Sequence, residues 1–270
     1  MIALPTRVLP PVTATALTSY QTAVDDTPGG YAARVAKAKS LFTAKNNPDD
    51  AVFRVIRSEL TAMCSGALRC VYCEDSARDQ VEHFRPKTLY PEAAFQWKNY
   101  VYACNRCNRV KSDKFAVFRS SDGAYENVTR LRHAPIVPPT EGRPVLLFGR
   151  LDDPLQFLDL DLVDTFFFTV RAGLTPDNAK RAEYTITELK LNERDELPIG
   201  RRQSYEDYRA RVREYCSRRD EDVQSSELEV LRRNLQRCNH PTVWEEMKRQ
   251  RDAVPELSAL FDDAPETLHW

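Results

Sequence analysis

The sequence predicts an α+β fold, mainly helical, in which a four-cysteine zinc knuckle is embedded in a helical body. Three observations lead there. Segments such as "YAARVAKAKSLFTAK" and "PDNAKRAEYTITELKL" repeat apolar residues at helical spacing. "LQFLDLDLVDTFFFTVRAG" is instead rich in Phe, Leu, Val and Thr and reads as a strand pair closed by Gly173. Between these regions, Cys70 and Cys73 form one Cys-x-x-Cys pair and Cys104 and Cys107 a second, with 30 residues between the pairs.

Taken in order, the segment to about Gly30 is Pro- and Thr-rich and reads as an extended arm, because Pro5, Pro10 and Pro11 interrupt any continuous helix. A helix follows with Val35, Ala38, Leu41 and Phe42 on one face. "NPDD" starts the next, with Asn47 as cap and Pro48 at the first helical position. Phe53, Ile56, Leu60 and Met63 form its buried stripe and Gly66 ends it. The cysteine segment runs to about Phe118, with "YPEAAFQWKNY" as a loop and short turn. A proline-rich connection through Pro135, Pro138, Pro139 and Pro144 leads to the strand pair. A helix capped by Thr175 or Asp177 then turns Ala182, Ile186 and Leu189 inward, and three more helices are expected near 202–217, 225–238 and 241–253. No internal repeat is visible. The expected organisation is 1–65, an N-terminal arm and helices; 66–120, the cysteine-bearing core; and 121–270, short strands then helices.

Composition narrows the class. A chain of 270 residues, 42% hydrophobic and with only eight glycines, buries a sizeable core and is not dominated by disorder. Apolar runs such as "TFFFTV" are too short to span a bilayer. "MIALPTRVLPPV" lacks a basic region followed by an unbroken apolar stretch, so a cytoplasmic protein without membrane association is expected. The net charge of −1 conceals a local excess: from His83 to Ser120, eight basic residues face two acids, a charge of +6, which leaves −7 elsewhere. Such a segment suits a phosphate-binding surface, and a solvated helix face would look the same.

Without a secretory signal, the seven cysteines point away from disulfides. Four thiolates in two pairs match tetrahedral Zn²⁺ and close its coordination sphere, which makes the ion structural. An iron–sulfur cluster is the alternative for the same ligands. Cys64, Cys216 and Cys238 read as small apolar residues on helix faces.

Around the cysteines lie Glu82 and His83 in "VEHFRPK", Asn99 in "WKNY", Asn108 directly after Cys107, and Lys111. This pattern resembles an HNH endonuclease, whose site is a ββα-metal finger. The resemblance implies His83 as the general base, and Glu82 and Asn108 as ligands of a catalytic Mg²⁺ or Mn²⁺. It also implies Asn99 as the residue holding the finger loop, with DNA as substrate. Two positions depart from the commoner pattern: Asp is usual at Glu82, and His is frequent at Asn108. Arg85, Arg106 and Lys111 are candidates for gripping phosphates.

A narrower similarity runs through "CVYCED", "VEHFRPK" and "WKNYVYACNRCNRVKSDKF", with "RAEYTITELKLN" and Leu197 beyond. These resemble the HNH branch that contains the nuclease subunit of Septu-type anti-phage systems and related retron systems. That branch implies an ABC or SMC-like ATPase partner, for which 121–270 is the candidate docking region. The alternatives from the sequence are a stand-alone restriction or homing nuclease and a non-catalytic zinc-ribbon nucleic-acid-binding module.

Overall fold

The structure, a computed structural model, describes residues 1–64 and 68–270. Three helices come first among them: α1 Pro11–Asp25, α2 Gly30–Lys45 and α3 Ala51–Met63. The cysteines bracket β1 Gln80–His83 and β2 Tyr100–Ala103 and reach into α4 Asn105–Lys111. Short strands follow: β3 Ala116–Arg119, β4 Tyr125–Asn127, β5 Gly142–Pro144, β6 Leu158–Leu160 and β7 Phe168–Val170. The chain then runs through α5 Pro176–Glu188, α6 Glu196–Asp220, α7 Ser225–Gln236, α8 Pro241–Arg249 and α9 Pro255–Asp263. The fold is mixed α+β, with about half of the chain helical. No helix among the described residues is long and apolar enough to cross a membrane.

Several local expectations need correction. The opening segment is not an arm throughout, because Pro11 starts α1. At the first helical position a proline's missing N–H would have had no partner anyway, and its fixed φ suits the helix. The following helix starts later than "NPDD" suggests: Asp50 caps α3, its carboxylate accepting from the Val52 and Phe53 amides at 3.0 Å. Asn47 closes the preceding turn, accepting from the Asp49 and Asp50 amides at 2.9 Å. Gly66, expected to end this helix, lies outside the described residues. Thr175 rather than Asp177 caps α5. The last three expected helices are α6, α7 and α8, and a further helix, α9, follows them.

Two hydrophobic cores meet at the β1–β2 pair. The strands are antiparallel, with Val81 opposite Tyr102, Glu82 opposite Val101 and His83 opposite Tyr100. Successive side chains on a strand point to opposite faces. Accordingly, Val81, Tyr100 and Tyr102 join a core built with Leu17, Val24, Phe42, Phe53, Ile56 and Leu60 of α1, α2 and α3. Val101 and Ala103 join the larger core, which contains the four cysteines and the C-terminal half. The same alternation sends His83 toward α2 and Glu82 toward α4.

Candidate metal centre and adjoining cleft

The ligand atoms of Cys70, Cys73, Cys104 and Cys107 all lie within 4.8 Å of one another, and all four residues are buried. Cys73 Sγ and Cys104 Sγ are 4.0 Å apart. A tetrahedral zinc with Zn–S bonds of ~2.3 Å separates its sulfurs by about 3.8 Å, so this cluster can hold a structural zinc ion. The second pair is shaped by helix capping: Cys104 is the N-cap of α4, and its Sγ accepts from the Cys107 amide at 3.3 Å. Arg194, buried just before α6, donates to Cys107 Sγ at 3.5 Å. Its positive charge offsets part of the negative charge that four thiolates bring, and such partners orient and tune metal ligands. Of the remaining cysteines, Cys216 and Cys238 are buried and Cys64 is half-buried.

Beside the cysteine cluster opens a cleft of about 270 Å³ lined by Glu82, His83, Pro86, Lys87, Asn108, Arg109, Ser112 and Asp113. Three of the sequence-selected residues therefore share one wall system: Glu82 and His83 from β1 and Asn108 from α4. The His83 ring packs edge-on against Phe42 at 4.3 Å and Tyr100 at 5.1 Å between centroids. Its Nε2 sits 2.9 Å from the Ala94 carbonyl. A carbonyl can only accept, so Nε2 carries the proton and Nδ1 holds a free lone pair. Burial, reinforced by the charge of Lys87, holds the His83 pKa well below that of an ordinary histidine, which keeps the ring neutral.

Glu82 is nearly as buried. Its Oε1 lies 2.7 Å from Lys111 Nζ in an ion pair whose exposed fractions are 1% for Lys111 and 7% for Glu82. That oxygen has no aligned hydrogen bond. Burial raises the Glu82 pKa, and the charges of Lys111 and Lys87 pull against it.

Asn99 ties the segment between the strands together. Its side chain accepts from the Arg85 amide at 2.7 Å and donates to the carbonyls of Arg85 at 3.0 Å and Ala93 at 2.9 Å. It thereby fixes the residue preceding Ala94, whose carbonyl holds His83.

The three expected phosphate contacts fall elsewhere than a common surface. Arg85 lies over the rings of Tyr90 and Phe115 at 4.9 and 5.8 Å. Arg106 is exposed and paired with Glu196. Lys111 is buried, and besides Glu82 it donates to the His83 carbonyl at 2.8 Å. The cations that do line the cleft are Lys87 and Arg109. Sequence reasoning counted both in the basic run without singling them out. The available signal was position: Lys87 lies four residues past His83, and Arg109 adjoins Asn108.

The chain is similar to Septu proteins. It is 28% identical over 159 residues to Septu protein PtuB of Bacillus mycoides (strain KBAB4), a match covering 52% of this chain and 48% of that protein. It is 44% identical over 48 residues to Septu protein PtuB of Bacillus thuringiensis, covering 16% of this chain and 19% of that protein. The chain thus spans less than half the length of either of these curated relatives. No protein-family model matches the chain. No solved structure matches it.

Proposed function

We propose that this chain is a metal-dependent HNH-type endonuclease that hydrolyses DNA, acting as the nuclease effector of an anti-phage defence assembly. Similarity to the Septu proteins supports the defence role. The observation that carries the chemistry is His83, buried, neutral, and fixed through Nε2 in a cleft it shares with Glu82 and Asn108. In that tautomer Nδ1 is the ring atom that can take a proton from water, which is the role of a general base.

The donors beside it fit a hard divalent cation. Glu82 offers a buried carboxylate, ion-paired through Oε1 with Lys111, and the Asn108 side chain lines the same cleft and makes no hydrogen bond among the described residues. A Mg²⁺ or Mn²⁺ ion held by these two residues would supply charge stabilisation at the phosphate and at the departing oxygen. Asn99 positions the base through the Ala93–Ala94 backbone. Lys87 and Arg109 orient flanking phosphates. The antiparallel β1–β2 pair followed directly by α4, with the four-cysteine cluster at the junction, supports the ββα reading. The region 121–270 is the proposed docking surface for an ATPase partner.

Purified protein, alone and with its candidate partner, is expected to cleave DNA only with Mg²⁺ or Mn²⁺. His83→Ala is expected to abolish cleavage while metal analysis still finds one zinc per chain. Undiminished cleavage by that variant would remove His83 from the mechanism.

A further inference from the structure

Helix α2 packs behind the cleft, where Phe42 meets the His83 ring, and its charge is of one sign. Between Gly30 and Lys45 there are four cations, Arg34, Lys37, Lys39 and Lys45, and no acid. Two of them are engaged locally. Lys45 lies 3.9 Å from Asp50 and over the Tyr20 ring at 4.8 Å, and Arg34 lies 6.0 Å from the Tyr31 ring centroid. Lys37 and Lys39 take part in no ion pair among the described residues, and neither do the cleft residues Lys87 and Arg109.

Lys39 adjoins the cleft cation Lys87. Phe42 of α2 meets the His83 ring at 4.3 Å and lies 4.9 Å below Lys87 Nζ. Lys39 is three residues before Phe42, on the neighbouring turn, and is exposed. Burial lowers the Lys87 pKa, the carboxylates of Glu82 and Asp113 oppose that, and the charges of Lys111 and Lys39 add to the lowering. Repulsion between Lys39 and Lys87 is unfavourable in the free protein, and a polyanion laid across them relieves it. Each phosphate neutralised also releases a condensed counterion.

We propose that α2 is a DNA-backbone tracking surface, in which Lys37 and Lys39 bind phosphates of the duplex arm that leaves the cleft past Lys87. This rests on the nuclease reading and extends it, because it assigns substrate contact to a helix outside the cysteine-bearing segment. DNA is then held on two sides of His83: by Arg109 on α4 and by the lysines of α2. The basic excess between His83 and Ser120 accounts for only one of these sides.

The experiment uses the full chain carrying His83→Ala, so that the probe is not consumed, and a fluorescein-labelled 30-base-pair duplex as probe. Anisotropy titrations at several KCl concentrations give the slope of log Kd against log[KCl]. Lys37→Gln/Lys39→Gln is expected to lower that slope by about 1.8, since each phosphate contact contributes about 0.9. Affinity at low salt should fall at least several-fold, with zinc content and helicity unchanged. Lys180→Gln/Lys190→Gln, which removes the same charge from paired surface sites, should leave the slope in place. If Lys87→Gln/Arg109→Gln weakens binding while Lys37→Gln/Lys39→Gln leaves slope and affinity unchanged, the cleft binds DNA and the α2 surface is overturned. A chain that binds no duplex at any salt overturns the α2 surface and the nuclease reading together.

Discussion

Replacing Lys111 by methionine isolates the energetics of the buried pair at the cleft. Lys111 Nζ lies 2.7 Å from Glu82 Oε1 and 2.8 Å from the His83 carbonyl, with both side chains almost fully buried. Methionine keeps most of the volume and removes the charge. Stranding the Glu82 carboxylate should cost about 3–5 kcal/mol. The carboxylate can escape by taking up a proton, and that limits the cost. With an unfolded pKa of ~4.3 and ~1.36 kcal/mol per pH unit, protonation costs about 3.7 kcal/mol at pH 7 and about 1 kcal/mol at pH 5. The lost bond to the His83 carbonyl adds about 1 kcal/mol at every pH. In the variant the folded Glu82 pKa is raised, so its native state is favoured below the unfolded pKa and weakens as pH rises toward the folded one. Urea denaturation with zinc in the buffer should therefore show a loss of about 5 kcal/mol at pH 7 and about 2 kcal/mol at pH 5. Glu82→Gln/Lys111→Met should lose that pH dependence. A penalty below about 1 kcal/mol at pH 7, or one that does not change with pH, would refute the picture of a desolvated carboxylate held by one ammonium.

Two further outcomes follow from the same geometry. Cys73→Ser should reduce bound zinc to well below one per chain by elemental analysis and lower the Tm sharply, since the binding energy of a structural zinc is also folding energy; full zinc retention would exclude Cys73 from the ligand set. Asn99→Ala removes three hydrogen bonds around Arg85 and Ala93 and should cost about 2–4 kcal/mol in denaturant titrations, while lowering the cleavage rate more than DNA affinity. Equal losses in rate and affinity would make its role purely structural.

Much of the architecture was legible because local chemistry decided it. The stripe Phe53, Ile56, Leu60 and Met63 is fully buried in α3, and the Phe/Leu/Val segment forms the β6–β7 pair. The Cys-x-x-Cys spacing anticipated a cluster that the fold brings together. Failures arose where two residues competed for one local role. Asn47 and Asp50 both suit a cap, and only the three-dimensional turn shows that Asn47 is used one step earlier. A proline such as Pro11 carries opposite meanings inside a helix and at its first position, and the sequence alone does not say which applies. Lys111 looked like a surface cation because it lies in a basic run. Its burial depends on α4 packing over β1, a contact between segments almost thirty residues apart in the chain.

The adjacency of Glu82 and His83 is the feature that most needs three dimensions. On a regular strand neighbouring side chains face opposite ways, which would separate an acid from a base. The strand is regular here: Glu82 and His83 keep their antiparallel register with Val101 and Tyr100. What changes is the surroundings. β1 pairs on one side only, with β2, and it ends at His83 before the chain turns at Pro86 and Lys87. The cleft forms at this strand end, so it reaches both faces at once: α4 covers the Glu82 face and α2 the His83 face. An aromatic cage of Phe42 and Tyr100 then fixes the imidazole, and a single lysine neutralises the carboxylate. Two adjacent residues thus receive separate environments, one holding a neutral ring and the other a paired carboxylate. This division is what would give them different roles in the proposed hydrolysis.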